Sequence, residues 1–135
     1  MPTITVSSAA LQPVERKRVA LACTRQLKQL GADPAHCLVL FETLPPGHAF
    51  SAGMPLPSAD QHGAPLQFHL RITLSVERDL QQQQRLAQGL HSCLRSVYPS
   101  AFIYIHINLI EPAQVYYSAG PELINADHRQ GSTVS

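Results

Sequence analysis

The chain has 135 residues, 44% of them apolar and only 14% charged, with ten Lys and Arg against nine Asp and Glu for a net charge of +1. That balance excludes a bulk electrostatic case for nucleic acid or an anionic membrane surface, and the length is that of one domain able to bury a core without staples. A surface so poor in charge fits a chain that buries part of it against partner subunits.

The opening "MPTITVSS" sets proline directly behind the initiator methionine and ahead of a strand in which Ile4 and Val6 share a face. Cleavage of Met1 would leave Pro2 as a free secondary amine at the head of that strand. Helix signals follow in "PVERKRVALACTRQLKQLG": Pro13 suits the first helical position, Glu15 the first turn, and Gly31 the C-terminal stop. Val19, Cys23, Leu27 and Leu30 form its apolar stripe. "HCLVLFETL" then reads as a nearly continuous apolar strand, the pattern of a parallel strand covered on both faces.

The Pro- and Gly-rich stretch "LPPGHAFSAGMPLPSADQHGAPL" is too long for a simple turn. It reads equally as a linker and as a loop folded over a site. Beyond it, "LQFHLRITLSV" alternates, with Phe68, Leu70, Ile72, Leu74 and Val76 on one side and His69, Arg71, Thr73 and Ser75 on the other. Asp79 is placed to cap a second helix with the stripe Leu86, Leu90, Cys93, Leu94 and Val97, ended by Pro99. "AFIYIHINLI" is the last long strand, with Ile103, Ile105, Ile107 and Leu109 opposed to Tyr104, His106 and Asn108. The segment 121–135, "PELINADHRQGSTVS", reads as a polar tail.

The chain also matches itself at an offset of 67 residues. Arg18 falls on Arg85, Ala20 on Ala87, Leu27 on Leu94 and Pro45 on Pro112, and the match runs ungapped to "FSAG" (50–53) over "YSAG" (117–120). The expected architecture is therefore α+β: two tandem βαβ units, about 2–53 and 65–120, in a single domain over 1–120. Their four strands form one sheet with both helices on one face. The other face needs a cover, which oligomerisation would supply.

Other chemistry is poorly represented. The odd count of Cys23, Cys37 and Cys93, with no CxxC and no secretory signal, fits a reduced, cytoplasmic setting. No apolar run reaches bilayer length. The histidines show neither HxH nor HExxH spacing, so neither a metal site nor a cofactor is expected.

A chain beginning MP and built from two such units resembles the tautomerase superfamily, which includes 4-oxalocrotonate tautomerase, macrophage migration inhibitory factor, malonate semialdehyde decarboxylase and cis-3-chloroacrylic acid dehalogenase. "CLVLFETLPPGHAFSAG" resembles the second strand and following turn of the short members. "SVERDLQQQQRL" and "EPAQVYYSAG" resemble parts of the double-length, dehalogenase-like members. The resemblance spans residues 2–120 and implies a homotrimer, sheets gathered into a central barrel, and Pro2 as the catalytic base.

It also implies Arg78, just ahead of the second helix, as the group that holds a substrate carboxylate. A solvated arginine beside Glu77 and Asp79 is the plainer reading of the same residue. Arg71, on the polar face of its strand, suits a substrate contact or an ion pair equally well. Phe50, Tyr116 and Tyr117 suit a pocket wall or ordinary packing. Several family positions are replaced: Leu11 and Leu38 stand where short members carry arginines, and Leu27, Ser75, Ile107 and Ser118 where dehalogenase-like members carry polar groups. With those groups absent, water activation and two-arginine binding of dianions are disfavoured. What remains is a tautomerase acting on a small keto/enol monocarboxylic acid. A tautomerase-like binding module without meaningful turnover, and a proline-dependent decarboxylase or hydratase, stand as alternatives.

Overall fold

The computed structural model describes residues 2–56 and 66–127. Strand β1 (Thr3–Ser8), helix α1 (Pro13–Gln29), a 3₁₀ turn (Pro34–His36) and strand β2 (Leu38–Thr43) make the first βαβ unit. Short strands β3 (Phe50–Ser51) and β4 (Met54–Pro55) follow it as a hairpin. The second unit is β5 (Gln67–Ser75), α2 (Leu80–Val97) and β6 (Phe102–Ile110), followed by a 3₁₀ turn (Pro112–Gln114) and the hairpin β7 (Tyr116–Ala119) and β8 (Glu122–Asn125).

The four long strands form one sheet in the order β2-β1-β5-β6, parallel within each unit and antiparallel where β1 meets β5. Both helices begin as the sequence predicts. Pro13 opens α1, and the Gln12 N–H donates to Glu15 Oε1 at 3.1 Å. Asp79 Oδ1 accepts from the Gln82 N–H at 2.8 Å, while the Asp79 N–H donates to Gln82 Oε1 at 2.9 Å. Gly31, with φ 104°, supplies the left-handed residue that ends α1.

The helices run antiparallel and are tied at both ends. The Tyr98 hydroxyl at the end of α2 donates to Glu15 Oε2 at 2.9 Å, and Arg78 Nη1 ahead of α2 donates to the Leu30 carbonyl at 2.8 Å. The core lies between helices and sheet: Val19, Cys23 and Leu27 of α1 and Leu86, Leu90 and Leu94 of α2 pack over Ile4, Val6, Phe68, Leu70, Ile72 and Leu74. Each large member contributes about 1.5–3 kcal/mol by leaving water.

The 67-residue offset holds for the helices, where it carries Val19, Cys23 and Leu27 onto Leu86, Leu90 and Leu94, all buried. It holds again at the turns, where Gly53 (φ 78°) and Gly120 (φ 60°) both take left-handed conformations. It fails in the strands. Ile4 pairs with Ile72 and Val6 with Leu70, so the core-facing positions of β1 and β5 are all even-numbered. An odd offset maps Ile4 onto Arg71, which faces the other way. Because side chains alternate with period two, each strand pair is one residue out of step with the helices it serves.

Two further differences concern the loops. Part of the stretch between the units is the β3–β4 hairpin, and residues 57–65 lie outside the described residues. The first residues of the expected polar tail form strand β8, with Asn125 and Asp127 buried; Asn125 Nδ2 donates to the Ala113 carbonyl at 2.8 Å. Residues 128–135 lie outside the described residues.

The face of the sheet away from the helices is open. β2, expected to be covered on both faces, is an edge strand, and Leu38, Leu40, Phe102 and Tyr104 on that open side are between 45% and 54% exposed. Between them lie the polar His69, Arg71, His106 and Asn108. No described helix is long and apolar enough to cross a membrane.

Candidate functional sites at the two ends of the sheet

The sequence-derived candidates fall into two groups. Pro2 is half-buried at the head of β1, where its carbonyl accepts the Leu38 N–H at 3.1 Å. The next residue, Thr3, pairs with Leu38 on one side and Thr73 on the other, so Pro2 stands at the end of the sheet where β5 finishes. Alternation puts it on the same side of β1 as Ile4 and Val6, toward the helices.

Arg78 lies three residues beyond the end of β5. The turn that carries it is fixed by the Arg78 N–H donating to the Ser75 carbonyl at 3.1 Å and the Val76 N–H donating to Ile110 at 3.0 Å. Its guanidinium reaches the last turn of α1, satisfying the orphan carbonyl of Leu30 at the negative end of the helix dipole. Pro2 and Arg78 thus share one end of the sheet and its helix layer. Arg78 also has a structural task there, bracing the two helices.

Tyr117 comes to the same end by a longer route. β6 is the edge strand opposite β2, yet the Tyr117 ring lies 5.6 Å from that of His36, just ahead of β2. The β7–β8 hairpin therefore spans the width of the sheet at its Pro2 end. Beside His36, the Cys37 thiol donates to the Asp33 carbonyl oxygen at 3.4 Å, and its pKa is raised by burial and then by the Asp33 carboxylate. This is a protonated thiol rather than a nucleophile poised for attack.

Arg71 and Phe50 meet elsewhere. The β3–β4 hairpin leaves the far end of β2 and folds over the starts of β5 and β6, where Phe50 and Arg71 line a cavity of about 450 Å³ with Ser7, His69, Tyr104 and His106. The rings of His69 and Tyr104 stack at 5.3 Å. Arg71 Nη2 lies 3.5 Å from Glu42 Oε1, both side chains being more than half exposed, and Ser7 Oγ donates to Glu42 Oε2 at 3.0 Å. Pro2, Arg78 and Tyr117 do not line this cavity.

The sequence did not single out His69, His106 and Tyr104 as a group. Their common signal was present: alternate positions of two long strands that turned out to be neighbours in register, His69 beside Tyr104 and Arg71 beside His106. Leu11 and Leu27, which the resemblance set against charged or polar positions, are buried core residues.

Solved structures with this fold are numerous. N1, a member of the cis-3-chloroacrylic acid dehalogenase family, superposes with a TM-score of 0.75 at 21% identity, over 96% of this chain and 88% of its own. Pt0534 inactivated by 2-oxo-3-pentynoate gives 0.71 at 18% identity, over 87% and 93%. The R7 fused 4-OT asymmetric trimer gives 0.70 at 19% identity, over 95% and 98%. No protein-family model and no curated protein matches the sequence. The class these observations define is structural: an α+β chain of two βαβ units with the tautomerase-superfamily fold, in the double-length form.

Proposed function

We propose that the protein is a proline-based tautomerase, an isomerase that moves a proton within a small keto/enol monocarboxylic acid and assembles as a homotrimer. The observation that carries this reading is the register at the head of β1. It sets Pro2 beside Leu38, at the same end of the sheet as Arg78 and within the same layer.

With Met1 removed, Pro2 presents a secondary amine. To act as a base near pH 7 the amine must be neutral, a requirement that burial in an apolar pocket or a cation beside it would meet. The neutral nitrogen takes a proton α to the substrate carbonyl and returns it to the other end of the enol system. Arg78 holds the carboxylate, and Tyr117 walls the same end. A base so placed contributes about 10²–10⁴-fold, and a donor aimed at the enolate oxygen lowers the barrier further.

The open sheet face, with its exposed Leu38, Leu40 and Phe102, supports assembly with further copies of the chain, as do the trimers among the fused 4-OT structures. A second reading rests on the Arg78–Leu30 bond: if that arginine serves only to brace the helices, the chain is a tautomerase-fold binding module. The test is enol-to-keto conversion of phenylpyruvate by wild type and Pro2→Ala. Activity lost in the variant supports the tautomerase; equal rates in both support the binding module.

A further inference from the structure

The two helices hold equivalent places in the repeat, so their outer sides can be compared position by position. On α1 the side turned away from Val19, Cys23 and Leu27 carries Val14, Arg18, Leu21, Arg25 and Lys28, all exposed. The offset of 67 carries these onto Gln81, Arg85, Gln88, Ser92 and Arg95, the exposed side of α2. The α2 row is that of a solvated helix, polar throughout, with Arg95 tied to the Ala101 carbonyl at 3.0 Å. The α1 row differs in kind. Val14 and Leu21, 65% and 55% exposed, stand where α2 has glutamine, and Arg25 stands where α2 has serine.

The α1 row also forms a straight seam. Its members alternate between four-residue and three-residue steps, the 3.5-residue period by which one helix packs along another, over a length of about 21 Å. Among the described residues, the side chains of Arg18, Arg25 and Lys28 take part in no hydrogen bond or ion pair.

The chemistry of the seam narrows what it can hold. The two helices contain one carboxylate between them, Glu15, already engaged by the Gln12 N–H and the Tyr98 hydroxyl. A second copy of the chain therefore has no acidic helix to offer. Assembly through the open sheet face would leave the seam uncovered, since the helices lie on the opposite side. A phosphate backbone would meet the cations but gives Val14 and Leu21 no partner. A bilayer interface takes a broad apolar face, and two residues seven apart do not make one.

We propose that this seam docks an acidic amphipathic helix of another protein, with apolar residues set against Val14 and Leu21 and carboxylates against Arg18, Arg25 and Lys28. The inference makes no use of Pro2, so it and the tautomerase assignment can fail separately. The probe is a fluorescent peptide of about three heptads, leucine at each a position and glutamate at d, e and g, titrated with the full chain by anisotropy. Charge reversal by Arg25→Glu with Lys28→Glu should weaken binding about tenfold or more. Leu21→Gln, which matches Gln88 of α2, should weaken it several-fold. Arg85→Glu, on the other helix, should leave it unchanged. All these positions are exposed, so the variants should keep the wild-type circular dichroism spectrum. Equal loss in Arg85→Glu, or equal affinity for a polyglutamate of the same length, would reduce the effect to diffuse charge and overturn the proposal. Tighter binding to a single-stranded oligonucleotide or to anionic vesicles would overturn it too, as would no binding of the peptide at millimolar protein.

Discussion

Arg78 Nη1 and the carbonyl of Leu30 lie 2.8 Å apart, joining the loop before α2 to the last turn of α1. The residue proposed to hold substrate is thus also a helix-capping residue, and the two roles make separable predictions. Arg78→Ala should cost about 1–3 kcal/mol of stability, the range for a hydrogen bond to a charged group in a half-buried setting. Urea unfolding measures this part. Arg78→Lys should recover some of that stability through its charge at the helix end, yet raise KM for phenylpyruvate, because an ammonium cannot grip a carboxylate with two parallel donors. A KM that recovers along with stability would assign the residue to bracing alone.

At the other end of the helix pair, the Tyr98 hydroxyl is pushed up to about 12 by burial, and next by its bond to Glu15. Its native pKa lies above the value near 10 of an unfolded tyrosine, so folding favours the protonated form. This contribution is complete below pH 10 and is lost as pH rises from about 10 to about 12, since the unfolded chain there binds fewer protons. The melting temperature should fall over that window. In Tyr98→Phe the fall should be shallower, with a lower starting stability, which a thermal melt at stepped alkaline pH records.

Where the helices cross, a Cβ added at Gly89 would run into the Gln26 side-chain amide. Gln26 Nε2 in turn lies 3.2 Å from Cys93 Sγ. Glycine inside a helix is about 1 kcal/mol worse than alanine on propensity alone, so the close approach of Gln26 explains its use here. Gly89→Ala should bring no net gain in the wild-type background. In Gln26→Ala, the same change should stabilise by up to about 1 kcal/mol. The coupling between the two sites is the quantity a double-mutant cycle reports.

The helices were legible because their signals are local. Pro13, Asp79 and Gly31 each act on the turn they belong to, and the stripes Val19-Cys23-Leu27 and Leu86-Leu90-Leu94 need only 3.6-residue periodicity. The long strands were legible from alternation, and their grouping into one sheet from the repeat. The faces across the repeat were not, because a one-residue slip inverts a strand while leaving a helix match intact. Strands β3, β4 and β8 were hidden for a simpler reason: two to four residues carry no period, and "ELIN" joins the fold through Asn125 and its bond to Ala113.

The candidate site was legible only in part. Pro2 was marked by its place behind Met1 and Arg78 by the family resemblance, and the two stand at one end of the sheet. Arg71 and Phe50 carry the same residue chemistry but reach a different cavity, because Phe50 rides a hairpin whose direction no local signal encodes. Tyr117 needed the route of β7 across the sheet, which becomes visible only in its contact with His36.

The central claim is that the nitrogen of Pro2 is free, and the mass of the intact, natively expressed protein tests it most directly. The account predicts a mass short by one methionine. A chain that keeps Met1 would hold the Pro2 nitrogen in an amide, unable to take a proton, and would contradict the tautomerase assignment at its root.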